Sequence, residues 1–245
     1  MSGAGARRGF KRETHFVNLI NNNDDFRQNL QNALNELNLI EGEIISARDV
    51  KSTCKSDVII NLKEANGEIS ELGCSLKAAE ANFNQLDRRW LSDWSEALLM
   101  PDEIVNMIQS SLNRKIKNSR DVFILPTQEN TIIPFFEAKK QVLMQELFTR
   151  EDENLAAFVA YDENNKKWIV ARIDDIVNTL IEEPISTSSN GVLKIGDSLS
   201  LQRKGGDGNI KNPPKSSPEH PSNHLQFKIK PLTVIENVQS IEINE

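Results

Sequence analysis

Between Lys55 and Trp90 the chain alternates apolar runs with polar turns, as paired strands do. Val58-Ile59-Ile60-Asn61-Leu62 is short, apolar and rich in β-branched residues; a polar stretch from Lys63 to Glu68 follows, then a second run ending Ser75-Leu76-Lys77. Such runs, bounded by polar turn residues, predict an antiparallel hairpin. Upstream the period changes. Phe10, Phe16, Val17, Leu19 and Ile20 fall largely on one face of a helix over residues 10–22. Phe26, Leu30, Ala33, Leu34 and Leu37 do the same over residues 24–38, with Asp24-Asp25 as an N-terminal capping signal. Ile44-Ile45 begins a short strand leading to the hairpin.

Downstream, Leu86 to Leu99 reads as a Trp-rich helix, Pro101-Asp102-Glu103 opens another to about Lys117, and Pro134 starts a third through Phe148. From Leu155 the pattern turns to β. Ala156–Tyr161, the turn Asp162-Glu163-Asn164-Asn165 and Lys167–Arg172 predict a hairpin, and Asp174–Ile181 a helix ending before Pro184. Residues 184–190 read as a Ser/Thr-rich loop. Strands are expected at Gly191–Ile195, Ser198–Lys204 and Leu225–Lys230, the last with Gln226 and Lys228 outward. Gly205 to Asn223, with four prolines, reads as a long mobile loop. The chain has no internal repeat. These elements mix helices and strands, an α/β pattern, in residues 1–150 and are followed by a β-rich C-terminal part in residues 151–245, read as one continuous domain.

Composition narrows the function classes. A chain of 245 residues with 38% hydrophobic and 27% charged positions is an ordinary globular composition. No apolar run is long enough for a membrane span, and Met1 to Lys11 lacks the apolar core of a secretory signal. The two cysteines, Cys54 and Cys74, are expected to be reduced; with three histidines and no CxxC, a structural zinc site is not expected. The net charge of −7 argues against a general nucleic-acid coat, but residues 191–230 hold seven Lys/Arg against three Asp/Glu. Arg7, Arg8, Lys11 and Arg12 add a basic arm. Local basic segments in an acidic protein still engage phosphate, with less long-range attraction.

Candidate chemistry centres on the first hairpin. Asp57 opens one strand and Lys77 lies near the end of its antiparallel neighbour, twenty residues on. The pair can meet at one end of a small sheet, about 4–7 Å apart if a metal and water fit between them. An acid that holds a divalent metal and a lysine beside it suit phosphodiester cleavage, because the lysine steadies charge developing on the phosphate. Ser56 and Ser75 add oxygens, which hard Mg²⁺ prefers. The competing reading is a strand-end acid and a surface lysine. A second cluster runs from Asn82 through Phe83, Asn84, Gln85, Arg88 and Arg89 to Trp90. Amides and Arg read base edges and Phe wedges between base steps; alternatively this is a helix start with Trp90 and Trp94 as core anchors. A third, Gln202-Arg203-Lys204, runs into Gly205-Gly206, where small residues allow close approach to phosphate or base. The alternative there is a charged hairpin tip.

Five blocks occur in order along the chain: Gly9-Phe10-Lys11 with Glu13; Lys55-Ser56-Asp57; Phe83-Asn84-Gln85 with Asp87 and Trp90-Leu91; Leu201–Asp207; and Leu225–Ile229. Together they resemble the small type II restriction endonucleases related to MspI, a branch of the PD-(D/E)xK nuclease superfamily, and most of all its GCGC-cutting branch. The resemblance implies a restriction-endonuclease-like core, a central mixed sheet flanked by helices, in which Asp57 and Lys77 are catalytic. Ser75 stands where that family carries an amide; being shorter, it reaches a metal through water, or a nearby carboxylate substitutes. Glu13 matches a family glutamate and is the candidate supporting acid, with Asp57, Ser75 and Ser56 as candidate metal ligands. Phe83 matches an aromatic that presses into the base stack. Phe83, Asn84, Gln85, Arg88 and Arg89 are expected to join Gln202, Arg203 and Lys204 in contacting DNA. The implied activity is Mg²⁺-dependent cleavage of double-stranded DNA at a site of about four base pairs, read by side chains in the grooves. A bacterial cytoplasmic enzyme is implied, monomer or homodimer, with a cognate DNA methyltransferase in the same system. Two other readings stay open: a weakly active or inactive DNA-binding protein, motivated by Ser75, and a protein–protein interaction scaffold, motivated by the acidic total.

Overall fold

Helices α1 (Ala4–Asn22) and α2 (Asp24–Glu36) form where the helical apolar period runs. Asn23 sets their junction: its side chain accepts from the Phe26 N–H at 3.0 Å. Asp24 and Asp25 occupy the first turn of α2, where the helix dipole favours negative charge. The cap is thus one residue earlier than the acidic pair suggests. The structure, a computed structural model, describes residues 4–50, 55–80, 83–150, 152–206 and 210–245. Cys54, Asn82 and Asp207 lie outside these described residues.

In chain order the remaining elements are β1 (Glu43–Asp49), β2 (Val58–Lys63), β3 (Ile69–Ala78), β4 (Asn84–Arg89), α3 (Leu91–Leu98), α4 (Asp102–Lys117) and α5 (Pro126–Phe148). They continue as β5 (Leu155–Asp162), β6 (Lys167–Arg172), α6 (Ile173–Glu182), β7 (Ile185–Thr187), β8 (Leu193–Ile195), β9 (Leu199–Arg203), β10 (Leu225–Ile229), α7 (Pro231–Ile235) and β11 (Ser240–Asn244). The α/β expectation holds. The strands make a six-stranded sheet, ordered β1-β2-β3-β5-β6-β11, and a five-stranded sheet, ordered β4-β10-β9-β8-β7. Every pairing is antiparallel except β3 with β5, which makes the first sheet mixed.

The chain divides into two compact units. One comprises Met1–Asn82, Phe148–Thr179 and Pro231–Glu245; the other comprises Phe83–Leu147 and Leu180–Lys230. They interleave in sequence, so a division at residue 150 does not describe them. Each unit holds one sheet.

In the first unit Val58, Ile60 and Leu62 of β2 and Leu72, Cys74 and Leu76 of β3 join one core with Phe16 and Ile20 of α1 and Phe26, Leu30 and Leu34 of α2. Burying a Leu or Phe completely stabilises by about 1.5–3 kcal/mol, so this shared face fixes the register of the hairpin. Side chains alternate along a strand, so Gly73, Ser75 and Lys77 go to the opposite face. The β2–β3 turn closes with Glu64 N–H on Glu68 O at 2.9 Å and needs Gly67, whose φ of 84° disfavours a side chain. Cys74 is a free, buried thiol, and burial pushes its pKa up.

Four sequence expectations are corrected. Residues 86–89 are strand, not the start of a helix; α3 begins only at Leu91, where Asp93 reaches back to the Trp90 N–H at 3.2 Å. The polar run Asn84–Arg89 is extended because β10 supplies its ladder partners, which outweighs its weak β propensity. Pro134 does not open a helix but lies inside α5, which starts at Pro126, itself a favoured first helical residue. Ile185–Thr187 is a strand paired with β8, not loop. The segment before β10 is anchored: His220 is fully buried with its Nδ1 on Ser222 Oγ at 2.7 Å, and Asn223 Nδ2 donates to Ser217 O at 2.6 Å.

Candidate active site and nucleic-acid interface

Asp57 enters β2 opposite Ser75, its N–H bonded to Cys74 O at 2.8 Å. That pairing brings its carboxylate onto the face that carries Ser75 and Lys77. Three donors reach one carboxylate oxygen, Oδ2: the Leu76 N–H at 2.6 Å, Lys77 Nζ at 3.2 Å and Ser75 Oγ at 3.3 Å. Lys77 Nζ also donates to Ser75 Oγ at 2.8 Å and Leu76 O at 3.1 Å. An ammonium has three protons, and three acceptors surround this one, of which Asp57 is the farthest. The Asp57 and Lys77 side chains are 29% and 14% exposed, so the pair is held but open to solvent on one side. Contact at 3.2 Å is shorter than the metal-and-water span expected from sequence. Lys77 itself occupies the space beside the carboxylate.

Glu13 of α1 feels the same centre. Burial first, and then the Asp57 carboxylate, raise its pKa, while Lys77 opposes them; Asp49 raises it further. Arg12 lowers it together with Lys77, and burial is the main cause of the shift. The donor set (carboxylate Asp57, hydroxyl Ser75, carboxyl Glu13) is all oxygen, which fits a hard cation. Ser56 is directed differently. Its N–H bonds Asp152 Oδ2 at 2.6 Å, and its Oγ lies against Gly73, where an added Cβ would come within 2.2 Å of it.

The five-stranded sheet has one apolar and one polar face. Leu225, Phe227 and Ile229 of β10 point to the apolar side, where Phe227 meets Trp94 of α3 edge-on at 5.0 Å. On the other side the register sets Gln226 opposite Gln202 and Arg88, and Lys228 opposite Gln85 and Ser200. Gln226 Nε2 donates to Gln85 Oε1 at 2.9 Å, closing a cross-strand amide pair. One row therefore crosses β4, β10 and β9 with Gln85, Arg88, Gln226, Lys228, Gln202 and Ser200 on the same face. Phe83, just before β4, is 40% exposed with Lys230 Nζ 5.1 Å from its ring centre.

A sequence profile of the R.HinP1I restriction endonuclease family matches residues 38–235, most of the chain. The chain belongs to that family. It is a type II restriction endonuclease, an enzyme that cleaves DNA. Restriction endonuclease MspI, solved in complex with its cognate DNA, matches 93% of this chain and 100% of its own, with a TM-score of 0.60 and 12% identity. At that identity the likeness is one of fold. No curated protein sequence is similar enough to match. No helix among the described residues is long and apolar enough to cross a membrane.

Within this restriction-endonuclease fold the residues singled out from sequence divide sharply. Asp57, Ser75 and Lys77 come together, and Glu13 lies within their field. Gln85, Arg88 and Gln202 share the polar sheet face. Arg89 and Arg203 do not, because each is one residue out of phase and turns to the apolar side, directly opposite Leu225. Arg89 is buried between Asp87 at 2.7 Å and Glu146 at 2.6 Å, with its guanidinium 4.1 Å from the Trp94 ring centre. Burial works against its charge, but the bonds to Asp87 and Glu146 outweigh that and raise its pKa. Arg203, 9% exposed, donates to Asn223 Oδ1 at 2.7 Å and Lys115 O at 3.3 Å. It thereby holds a carbonyl in the last turn of α4, where a cation complements the helix dipole, and burial lowers its pKa. Both arginines, expected to contact bases, serve the packing of their unit. Asn84 falls on the Ile229 side, and Lys204 follows β9, its N–H on His224 O at 2.9 Å. Gln226, Lys228 and Ser200 are additions to the polar row. The alternation of Leu225 to Ile229 sets the first two on the face opposite the apolar one, but Gln226 is buried there and only Lys228 is half-exposed; the register shows what stands beside them.

Proposed function

We propose that this endonuclease cuts duplex DNA at a short site of about four base pairs, with Asp57 and Lys77 at the reaction and the polar face of the five-stranded sheet reading base edges. The observation that carries the reading is the convergence of Asp57, Ser75 and Lys77 on one face of the β2–β3 hairpin. Asp57 would hold the divalent cation, Mg²⁺ in this reading, with Ser75 and Glu13 as further oxygens. The bound cation supplies Lewis-acid stabilisation of charge on the phosphate. Lys77 keeps its bonds to Ser75 and Leu76 O and exchanges its longest one, to Asp57, for a phosphate oxygen. Its charge then acts mainly on negative charge formed in the transition state.

Phe83 is proposed to wedge at a base step, and Gln85 and Gln202 to read bases, with Arg88, Lys204 and Lys228 against phosphate. Monomer or homodimer, bacterial cytoplasm and a partner DNA methyltransferase complete the proposal. The direct test is Lys77→Ala. It is expected to lose cleavage under Mg²⁺ while keeping duplex affinity within a few-fold; cutting by Lys77→Ala near the parent rate would overturn the assignment.

A further inference from the structure

Asp152 lies far along the chain from Asp57, yet its carboxylate reaches the backbone immediately before that residue. The residue is 8% exposed, and its Oδ2 accepts the Ser56 N–H at 2.6 Å. The next N–H, that of Asp57, is bonded to Cys74 O at 2.8 Å. Two consecutive peptide N–H groups on the approach to β2 are therefore fixed, one by β3 and one by a side chain from the turn between α5 and β5.

The same turn grips β3. Asn154 O accepts the Gly73 N–H at 2.7 Å, and Leu155 pairs with Gly73 at the start of the parallel β3–β5 ladder. Gly73 is required at this approach. A Cβ there would meet Ser56 Oγ at 2.2 Å and the Leu155 Cα at 2.9 Å. Asp152 is itself placed by its own backbone, its N–H on Thr149 O at 3.2 Å and its carbonyl accepting Leu155 N–H at 3.3 Å. A short segment thus clips together Ser56, next to Asp57 in sequence, and Gly73, two residues before Ser75.

We infer that Asp152 is a positioning residue for the cleavage reaction: by holding the Ser56 backbone it aims the Asp57 carboxylate at Ser75 and Lys77. The inference rests on the catalytic reading of Asp57 and Lys77. The carboxylate acts through a backbone N–H, so what matters is an acceptor oxygen at that place rather than a charge. Displacing a reacting group by about 1 Å costs on the order of 10²-fold in rate.

The test compares the parent, Asp152→Asn and Asp152→Ala by single-turnover cleavage at saturating enzyme and Mg²⁺, by duplex affinity, and by hydrogen exchange of the Ser56 amide. The amide oxygen of Asp152→Asn still accepts from Ser56, so this variant should cut within a few-fold of the parent. Asp152→Ala should lose about 10–100-fold in rate with affinity nearly unchanged, and its Ser56 amide should exchange fast. A Ser56 amide that exchanges freely in the parent would overturn the clip whether or not any variant folds. So would a folded Asp152→Ala that cuts like the parent, or an Asp152→Asn as slow as Asp152→Ala. A parent that cuts nothing under Mg²⁺ or Mn²⁺ overturns the catalytic reading instead, and the Ser56 exchange then judges the clip alone.

Discussion

Lys77 meets Asp57, Ser75 and the Leu76 carbonyl, so its ammonium is held before any substrate arrives. The sequence allowed this local arrangement, because an acid at the start of one strand and a lysine near the end of its antiparallel neighbour can meet if the hairpin forms; spacing alone equally allowed a strand-end acid and a surface lysine. Ser75 was legible as a departure, and it sits on the shared face, 7% exposed. Ser75→Gln restores the family's amide there and is expected to keep or raise cleavage; a clear loss in a folded variant would count against a metal-facing Ser75. Glu13 gives a pH signature. Its raised pKa means the native state binds its proton more tightly than the unfolded chain does. The stability this contributes is full below the unfolded carboxyl pKa and is lost as pH rises through the raised native value. Glu13→Gln should flatten that loss in urea midpoints measured between about pH 4 and pH 8, and Mg²⁺ should raise the Tm of the parent more than that of Glu13→Gln.

At the scale of elements, periodicity carried α1, α2 and the β2–β3 hairpin, most of whose apolar positions face one core, although Phe10 of α1 and Ile69 of β3 are exposed. It failed at β4, where Asn-Gln-Leu-Asp-Arg-Arg has no β-branched residue and becomes a strand only beside β10. That miss hid the phase of the sheet, and with it the fact that neighbouring residues face opposite ways. Arg88 and Arg89 look alike in sequence, as do Gln202 and Arg203, but one of each pair faces the polar row and the other the apolar side. The consequence is measurable. Gln85→Ala and Gln202→Ala should lose discrimination of the cognate site by about 1–3 kcal/mol each, read by competition with a scrambled duplex. Arg89→Ala removes the buried guanidinium that bridges Asp87 and Glu146 and should cost about 3–5 kcal/mol of stability. Arg203→Ala should likewise lower Tm rather than shift site preference. A specificity change in Arg203→Ala at unchanged Tm would restore it to the reading set.

At the scale of the whole molecule, the acidic total hides a locally basic polar face, and contacts far apart in sequence build each unit. The interleaving of the two units has no signature in composition, because each boundary is set by long-range strand pairing. The Asp152–Ser56 bond, 96 residues long in sequence, is of the same kind. The mixture of helices and strands, by contrast, could be read from their order along the chain, while the mixed sheet came from the family resemblance and rests on the long-range parallel pairing of β3 with β5. The chain is proposed to cut DNA at one short sequence through Asp57 and Lys77. The most direct measurement is to incubate the purified protein and its Lys77→Ala variant with mixed unmethylated genomic DNA and Mg²⁺, and to sequence the ends. Ends at a single short motif are expected from the parent and none from the variant; ends scattered without a motif, or the same ends from both proteins, would overturn that proposal.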